Sequence, residues 1–538
     1  MSSIKTIPVL DEAELQDGQM KEVAFGDGKI LLSRLGDKIH ATSAFCTHYG
    51  APLAKGVLTA DGRVVCPWHG ACFNVCSGDI EDAPAPAALH SFKAHVADGK
   101  IYVTADASDT LKSNFSRQPK LTASGAESTG RGVVIVGGGS GAFQAVESLR
   151  EHGYAGPITI LSKETYTPID RTKLSKALIT DPAKIEWKTA ADLKIKYGTN
   201  LRLGVEVTGV DLEKKNVTLD NGKDTLSYDK LILAPGGTPR RLPIEGANLE
   251  NVYTFRGISD SQKVDAAARE GQRVVVIGSS FISMELVVAI SKRKLASIDV
   301  IGMEEYPFQA VLGEEIGAAL KKYHESQGVR FHMKSKVDRI VASEENPNIA
   351  TGVVVNGETL PADFVIMGVG VGPATQFLKG SGIEVERDGG VKVDQYLRVK
   401  SGPDTQNVYA IGDIAIYPQV NGDETRIEHW NVAGNHGRAV GCTIAGKEQP
   451  FVKVPVFWSA QGQQLRYCGI GHKAQFIAYY VKNEKIVAVA SMQNDPVVSK
   501  ASELLRLGLM PTPEEVEAGK DLLSVDIATV SSLTKLQS

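Results

Sequence analysis

Two short stretches of this chain hold residues that bind metals. CTH carries Cys46 and His48, and CPWHG carries Cys66 and His69. Seventeen residues lie between His48 and Cys66. Two loops that each offer one thiolate and one imidazole suit a two-iron, two-sulfur cluster, with Cys on one iron and His on the other. A single Cys2His2 zinc ion is the rival reading, although zinc fingers usually pair Cys with Cys and His with His along the chain. Cys72 and Cys76 are left over from this set, and we read them as small buried residues.

A second kind of chemistry is written in glycines. GGGSGA, residues 137–142, follows the apolar run RGVVIV and opens an amphipathic stretch. Gly137 makes a tight turn, Gly139 with Ser140 and Gly141 lets backbone approach a pyrophosphate, and Ala142 permits close helix packing. NVYAIGDIA puts Gly412 and Asp413 after a strand, where an acid can hold the ribityl chain of FAD. DRTKLSK adds Arg171 and Lys176. A second turn, GSSFIS, keeps Gly278 but has Ser280, Phe281 and Ile282 after it and Ser283 in the third glycine place. We read it as an NAD(P)H site. The strand IDVIG ends without an acid for the ribose; Glu304, two residues on, is the substitute, and with no Arg behind it NADH is favoured over NADPH.

The elements that must position these residues fall into a multidomain pattern. Residues 1–108 alternate apolar and polar residues between Gly/Asp turns, which predicts an all-β module. Residues 109–130 close a polar stretch beginning near 105 and are expected to be a linker crossed by few contacts. Two strand–turn–helix units predict α/β Rossmann-like domains: an FAD domain over 131–255 and 375–450, and a NAD(P)H domain over 256–374. Residues 451–538 are expected to form a C-terminal α+β domain.

The 538 residues carry 59 Lys and Arg against 63 Asp and Glu, so no broad basic face for nucleic acid is expected. Six cysteines are present, and none lies between 77 and 441. Clustered cysteines favour a metal site in a reducing compartment, and dithiol chemistry beside the flavin is not expected. No apolar run is long enough for a membrane span. MSSIKTIPVLDEAEL reads as neither a signal nor a transit peptide, so a cytoplasmic protein is expected, with a mitochondrial one as the alternative.

Together these residues make the chain resemble the apoptosis-inducing-factor-like Rieske–flavin reductases. That family joins a Rieske ferredoxin module to a flavoprotein of the pyridine nucleotide-disulfide oxidoreductase type. The resemblance runs through CTHYGAPL, CPWHGACFN, VVIVGGGSGA, DRTKLSK, VYAIGD, EHWNVAGNHGR, FWSAQGQQLRYCG and VASMQNDPVVSK. It implies that Arg171, Lys176 and Arg256 contact FAD, with Lys176 beside the flavin ring, and that Glu285 lies in the nicotinamide pocket. It also places His429 and Trp430 along the isoalloxazine with Trp458 nearby, and assigns Val207 and Ala234 to the cofactor. Lys176 and Glu285 are its catalytic candidates. High-potential relatives carry a bridging Cys pair where Ala51 and Trp68 stand here, and Ser and Tyr donors where Ala71 and Phe73 stand, which implies a low-potential cluster. The implied function is electron transfer from NAD(P)H through FAD to the cluster and on to an unidentified acceptor, in a monomer or homodimer. The alternative is an NADH-responsive redox sensor with little turnover.

Overall fold

The computed structural model describes residues 4–117, 121–122, 130–419, 422–462, 464–466 and 476–529. Cys468 and most of QQLRYCG lie outside them. Residues 4–117 are all β. A six-stranded antiparallel sheet (Ile4–Asp11, Met20–Phe25, Gly28–Leu35, Lys38–Ser43, Ser91–Ala97, Lys100–Asp106) supports a smaller four-stranded one. The small sheet, Val57–Leu58, Arg63–Val65, Cys72–Asn74 and Ile80–Asp82, carries the CPWHG loop between its second and third strands.

Two parallel five-stranded sheets follow. In the first, Val133–Val136 sits at the centre, flanked by Ile158–Ser162 and Lys230–Leu233, with Thr199–Leu203 and Val408–Ala410 outside. The late strand Val408–Ala410 therefore returns to the sheet begun at 133, and brings Asp413 to its carboxyl end. The second sheet centres on Arg273–Ile277 in the same way. Strands buried on both faces need near-continuous apolar residues, which is how VVIV and VVVI read. Helix α1 (Ser140–Glu151) follows the first central strand, short α2 (Thr172–Ala177) carries Lys176, and α3 (Phe281–Ser291) follows the second central strand. Helix α4 (Trp430–Ile444) crosses α1 at very short range. A Cβ on Gly437 would stand 2.2 Å from the Gly141 carbonyl oxygen, so only glycine fits there. The last unit is a four-stranded antiparallel sheet with helix α5 (Val497–Arg506) on it. Among the described residues no helix is long and apolar enough to cross a membrane.

The structure corrects the expectation of a lightly attached module. Of the expected linker, Ala107–Thr110 forms a 3-10 turn with Thr110 buried against Gly28. Ser116–Arg117 pairs with Ala88–Leu89, and Arg117 donates to the carbonyl of Ser77. Contacts across the boundary are many. Val57, Val65 and Cys72 share one apolar cluster with Val497, Ala501 and Leu504 of α5. Arg63 donates to Asp82 at 2.5 Å and to Glu503 at 3.3 Å, Lys453 pairs with Asp82, and all four lie at the boundary. Arg438 donates to the Ile80 carbonyl at 2.8 Å, and Asn435 accepts from the Ala83 amide at 2.9 Å. Charged groups at a buried boundary are costly unless paired, so these pairs specify one docked arrangement. Cys72 is buried as expected, but Cys76 is exposed, its Sγ 3.6 Å from His40 Nε2.

Candidate redox site

The four expected metal ligands fall into two pairs, one of histidines and one of cysteines. His48 Nδ1 and His69 Nδ1 lie 3.2 Å apart, and both rings are buried. The thiols of Cys46 and Cys66 meet each other, and burial pushes the Cys46 thiol well up, with Cys66 adding to it. His48 Nε2 is buried without a hydrogen-bond partner. Among the described residues no three His, Cys, Asp or Glu side chains gather around one point. The donors form a sulfur pair and a nitrogen pair, which fits the two irons of a [2Fe–2S] centre and not one Cys2His2 zinc ion. Two tight turns shape the loops: the Cys46 amide donates to the Ala51 carbonyl, and the Cys66 amide to the Ala71 carbonyl. Ala51, Ala71 and Phe73 are themselves buried, and Ser499 of α5 donates to the Cys66 carbonyl at 2.9 Å. Trp68 is half-buried beside His69.

The first glycine turn is an open cradle. Gly137 has φ +113°, and a Cβ there would stand 2.0 Å from the Ala234 carbonyl oxygen. Gly139 caps α1 with nothing within 4 Å of where its Cβ would be, and the hydroxyl of Ser140 is buried without a partner. Unsatisfied amides at a helix start suit a pyrophosphate. Gly141 and Ala142 are spent on packing against α4 and the core. Arg171 grips both oxygens of Glu164, at 2.9 and 2.7 Å, and the carbonyl of Arg256. Burial would raise the Glu164 carboxyl, but Arg171 overrides it and holds it below its ordinary value. Sequence reasoning passed over Glu164. Its signal was its place two residues beyond the strand Ile158–Ser162, where an acid meets a ribose. Asp413, beside Gly412, pairs with Arg256 at 2.6 Å. Val207 opens an antiparallel strand just after Val205, whose amide donates to the Ser162 carbonyl at the same sheet end.

Lys176 and Glu285 meet at 3.0 Å. Glu285 is buried and fully engaged: it also accepts from the Ser175 hydroxyl, from the Ser459 hydroxyl at 2.7 Å and from the Ala460 amide at 3.2 Å. Two separate segments, α2 and residues 459–460, thus converge on one carboxylate of α3. His429 caps α4, and burial, reinforced by the Lys176 charge, pushes it down to about 3, so it is neutral at working pH. Trp430 and Trp187 stand 5.5 Å apart, each with a buried indole N–H lacking a partner.

At the second turn Gly278 has φ +102° and would strike the Gly368 carbonyl with a Cβ. Ser283 fits the third glycine place because its neighbour is Gly368. Ser280 caps α3 without a side-chain bond of its own; Ser280 and Ile282 are exposed and Phe281 is half-buried. Glu304 is exposed past the strand Ser297–Ile301, beside Lys334, whose amide donates to its carbonyl. That lysine, thirty positions away in sequence, was not visible to local reading.

Trp458 joins the two regions. It is buried, its ring centroid 4.6 Å from that of His69, 5.8 Å from that of His48 and 5.2 Å from that of His429.

The chain matches the pyridine nucleotide-disulphide oxidoreductase family over residues 131–437 and the Rieske [2Fe-2S] domain over residues 5–93. It is 36% identical over 524 residues to apoptosis-inducing factor 3 of Homo sapiens, covering 94% of this chain and 84% of that protein. It is 32% identical over 347 residues to rhodocoxin reductase of Rhodococcus erythropolis, covering 63% of this chain and 78% of that protein. A solved ferredoxin reductase from Rhodopseudomonas palustris superposes with a TM-score of 0.66 at 27% identity, covering 76% of this chain and 100% of that one. The cofactors are FAD, NAD(P)H and a [2Fe–2S] cluster, and the protein is an NAD(P)H-dependent flavin oxidoreductase. With a Rieske domain ahead of the reductase fold, the chain belongs to the pyridine nucleotide-disulphide oxidoreductases, in the branch that includes apoptosis-inducing factor 3.

Proposed function

We propose that this protein carries electrons from NAD(P)H through FAD to its own [2Fe–2S] cluster and on to an external one-electron acceptor. FAD supplies the exchange of a hydride for single electrons, and the cluster supplies a one-electron relay. Cys46 and Cys66 would hold one iron, and His48 and His69 the other. The turn Gly137–Ala142, with Glu164, Arg171, Arg256 and Asp413, would hold FAD. The turn Gly278–Ile282 would hold the pyridine nucleotide, with Glu304 on its ribose; this favours NADH. Lys176 offers a positive charge to the electron-rich end of the flavin, and Glu285 fixes its position. Ala71 and Phe73 offer no hydroxyl to the cluster sulfurs, which supports a potential low in the Rieske range.

The observation that carries this reading is Trp458, in ring contact with His69 on one side and His429 on the other. Its ring centroid lies 4.6 Å from that of His69 and 5.2 Å from that of His429, so one side chain links the expected cluster ligands to the histidine expected at the flavin. The test is an anaerobic titration of holoprotein with NADH, followed by flavin absorbance and by EPR of the cluster. Both centres are expected to become reduced. A bleached flavin beside an EPR-silent, oxidised cluster would overturn the reading.

A further inference from the structure

The docked arrangement raises a question of exit. The histidine edge of the cluster site faces inward, under Trp458, and an external acceptor needs another approach. Among the described residues, the aromatic rings of Tyr49, Trp68, Trp187 and Trp458 touch His48 or His69. Trp458 is 5% exposed and Trp68 and Trp187 are half-buried, whereas Tyr49 is 39% exposed. Tyr49 is also the ring in closest contact. It stacks on His48 at 3.9 Å with the planes 17° apart, and meets His69 edge-on at 5.5 Å.

Tyr49 is held in place. Its hydroxyl donates to Asp170 at 2.5 Å, and Asp170 also accepts from Thr172 at the start of α2. That carboxylate is buried, so it shows little charge to solvent. Two lysines stand at the ring, half-buried Lys173, which pairs with Asp170 at 3.7 Å, and exposed Lys112. Lys173 lies 5.0 Å from the Tyr49 ring centroid. Lys112 is exposed and reaches 3.7 Å from where a Cβ on Gly50 would stand.

We propose that Tyr49 is the electron exit, and that Lys112 and Lys173 make its surround a docking surface for an acidic electron-carrier protein. This rests on the reading that the cluster is reduced from NAD(P)H. In the step, one electron leaves the reduced cluster and one enters the acceptor, here taking a ferric haem to ferrous. No bond forms or breaks, and no proton moves. Positive charge beside the exit raises the encounter rate of a negatively charged partner and does so less as salt rises.

The test uses holoprotein with two probes: the acidic soluble domain of cytochrome b5 and the basic cytochrome c. Cytochrome b5 is expected to be reduced faster at low salt and to slow as salt is added. The pair Lys112→Glu and Lys173→Gln is expected to lower that rate about tenfold, within the range of electrostatic steering, while NADH still reduces the cluster at the wild-type rate. The same pair should weaken binding of zinc-porphyrin cytochrome b5, which accepts no electron, in titration calorimetry. Tyr49→Leu should lower the maximal rate with cytochrome b5 and leave binding unchanged, and Tyr49→Phe, which keeps the ring, should restore it. Equal or faster reduction of cytochrome c, or charge variants with wild-type binding and rate, would overturn the docking surface. A Tyr49→Leu protein with the wild-type maximal rate would overturn the exit. If NADH leaves the cluster oxidised, the parent reading falls and this one with it; a reduced cluster with unresponsive acceptor rates sinks this proposal alone.

Discussion

The rings of Trp458 and His69 lie 4.6 Å apart, although one belongs to the last unit of the chain and the other to the first. The contact exists because the β module is docked and not tethered. Ser499 holds the Cys66 carbonyl, and Arg63 is shared between Asp82 of its own module and Glu503 of α5.

The ligand set predicts which cysteines matter. Cys66→Ser and His69→Cys should abolish or change the rhombic EPR signal expected of mixed Cys/His ligation. Cys72→Ser and Cys76→Ser should keep it, since Cys72 packs in an apolar cluster and Cys76 faces solvent beside His40. Loss of the signal in Cys76→Ser would show the ligand assignment to be wrong.

Lys176 and Glu285 should behave as a pair. Lys176→Met leaves a buried carboxylate without its cation, a change that costs about 3–5 kcal/mol when both partners are fully buried. Lys176 is partly exposed, so the loss of stability should be smaller. FAD should stay bound and its reduction by NADH should slow. Adding Glu285→Gln should recover thermal stability without recovering the rate. A Lys176→Met protein reduced at the wild-type rate would make this lysine a support for Glu285 and nothing more.

Residues 130–538 should not behave as an independent fragment. Cutting before Gly130 strips Arg63 from Glu503, the Ile80 carbonyl from Arg438, and Val57 and Val65 from the cluster they share with α5. The fragment should melt well below the intact protein and bind a hydrophobic dye. Equal melting temperatures would mean that the boundary contributes no stability.

A pH effect should arise far from the cofactors. Glu147 and Glu151 on α1 share one guanidinium, Arg438, which sits 2.6 Å from Glu151 and 3.8 Å from Glu147. Burial, then the Glu151 charge, push Glu147 up to about 8 from its ordinary value of 4.5. The folded state therefore keeps a proton that the unfolded chain releases. This stability is fully present below the unfolded value and is lost as pH rises through about 8. Glu147→Gln, which mimics the protonated acid and can still accept from Tyr197, should melt like wild type at pH 5 and above it at pH 8.5. A parallel decline of both proteins with pH would place the effect elsewhere.

What was legible in the sequence was local. Cys46, His48, Cys66 and His69 declare themselves by spacing, and Gly137 and Gly278 by their place between an apolar strand and a helix. What was not legible depends on distant partners. Ser175 and Ser459 lie in quoted stretches, DRTKLSK and FWSAQGQQLRYCG, but nothing in either stretch says that both bond Glu285. The polar average of the expected linker hid its anchors, Thr110 under Gly28 and Arg117 on Ser77. Cys76 looked like Cys72 in sequence, but the turn after Asn74 carries it out to the surface. Trp187 gave no sign of its contact with His48, because aromatic packing between domains leaves no local pattern.

The central claim, that electrons reach the cluster inside a docked protein past Trp458, is met most directly by single-turnover freeze-quench EPR after mixing with NADH, with flavin absorbance recorded alongside. In wild type the cluster should become reduced in a first-order phase whose rate does not change with protein concentration or with solvent viscosity. In Trp458→Leu that phase should lag further behind flavin bleaching. A rate that falls as viscosity rises, or a Trp458→Leu cluster reduced in step with wild type, would contradict the account.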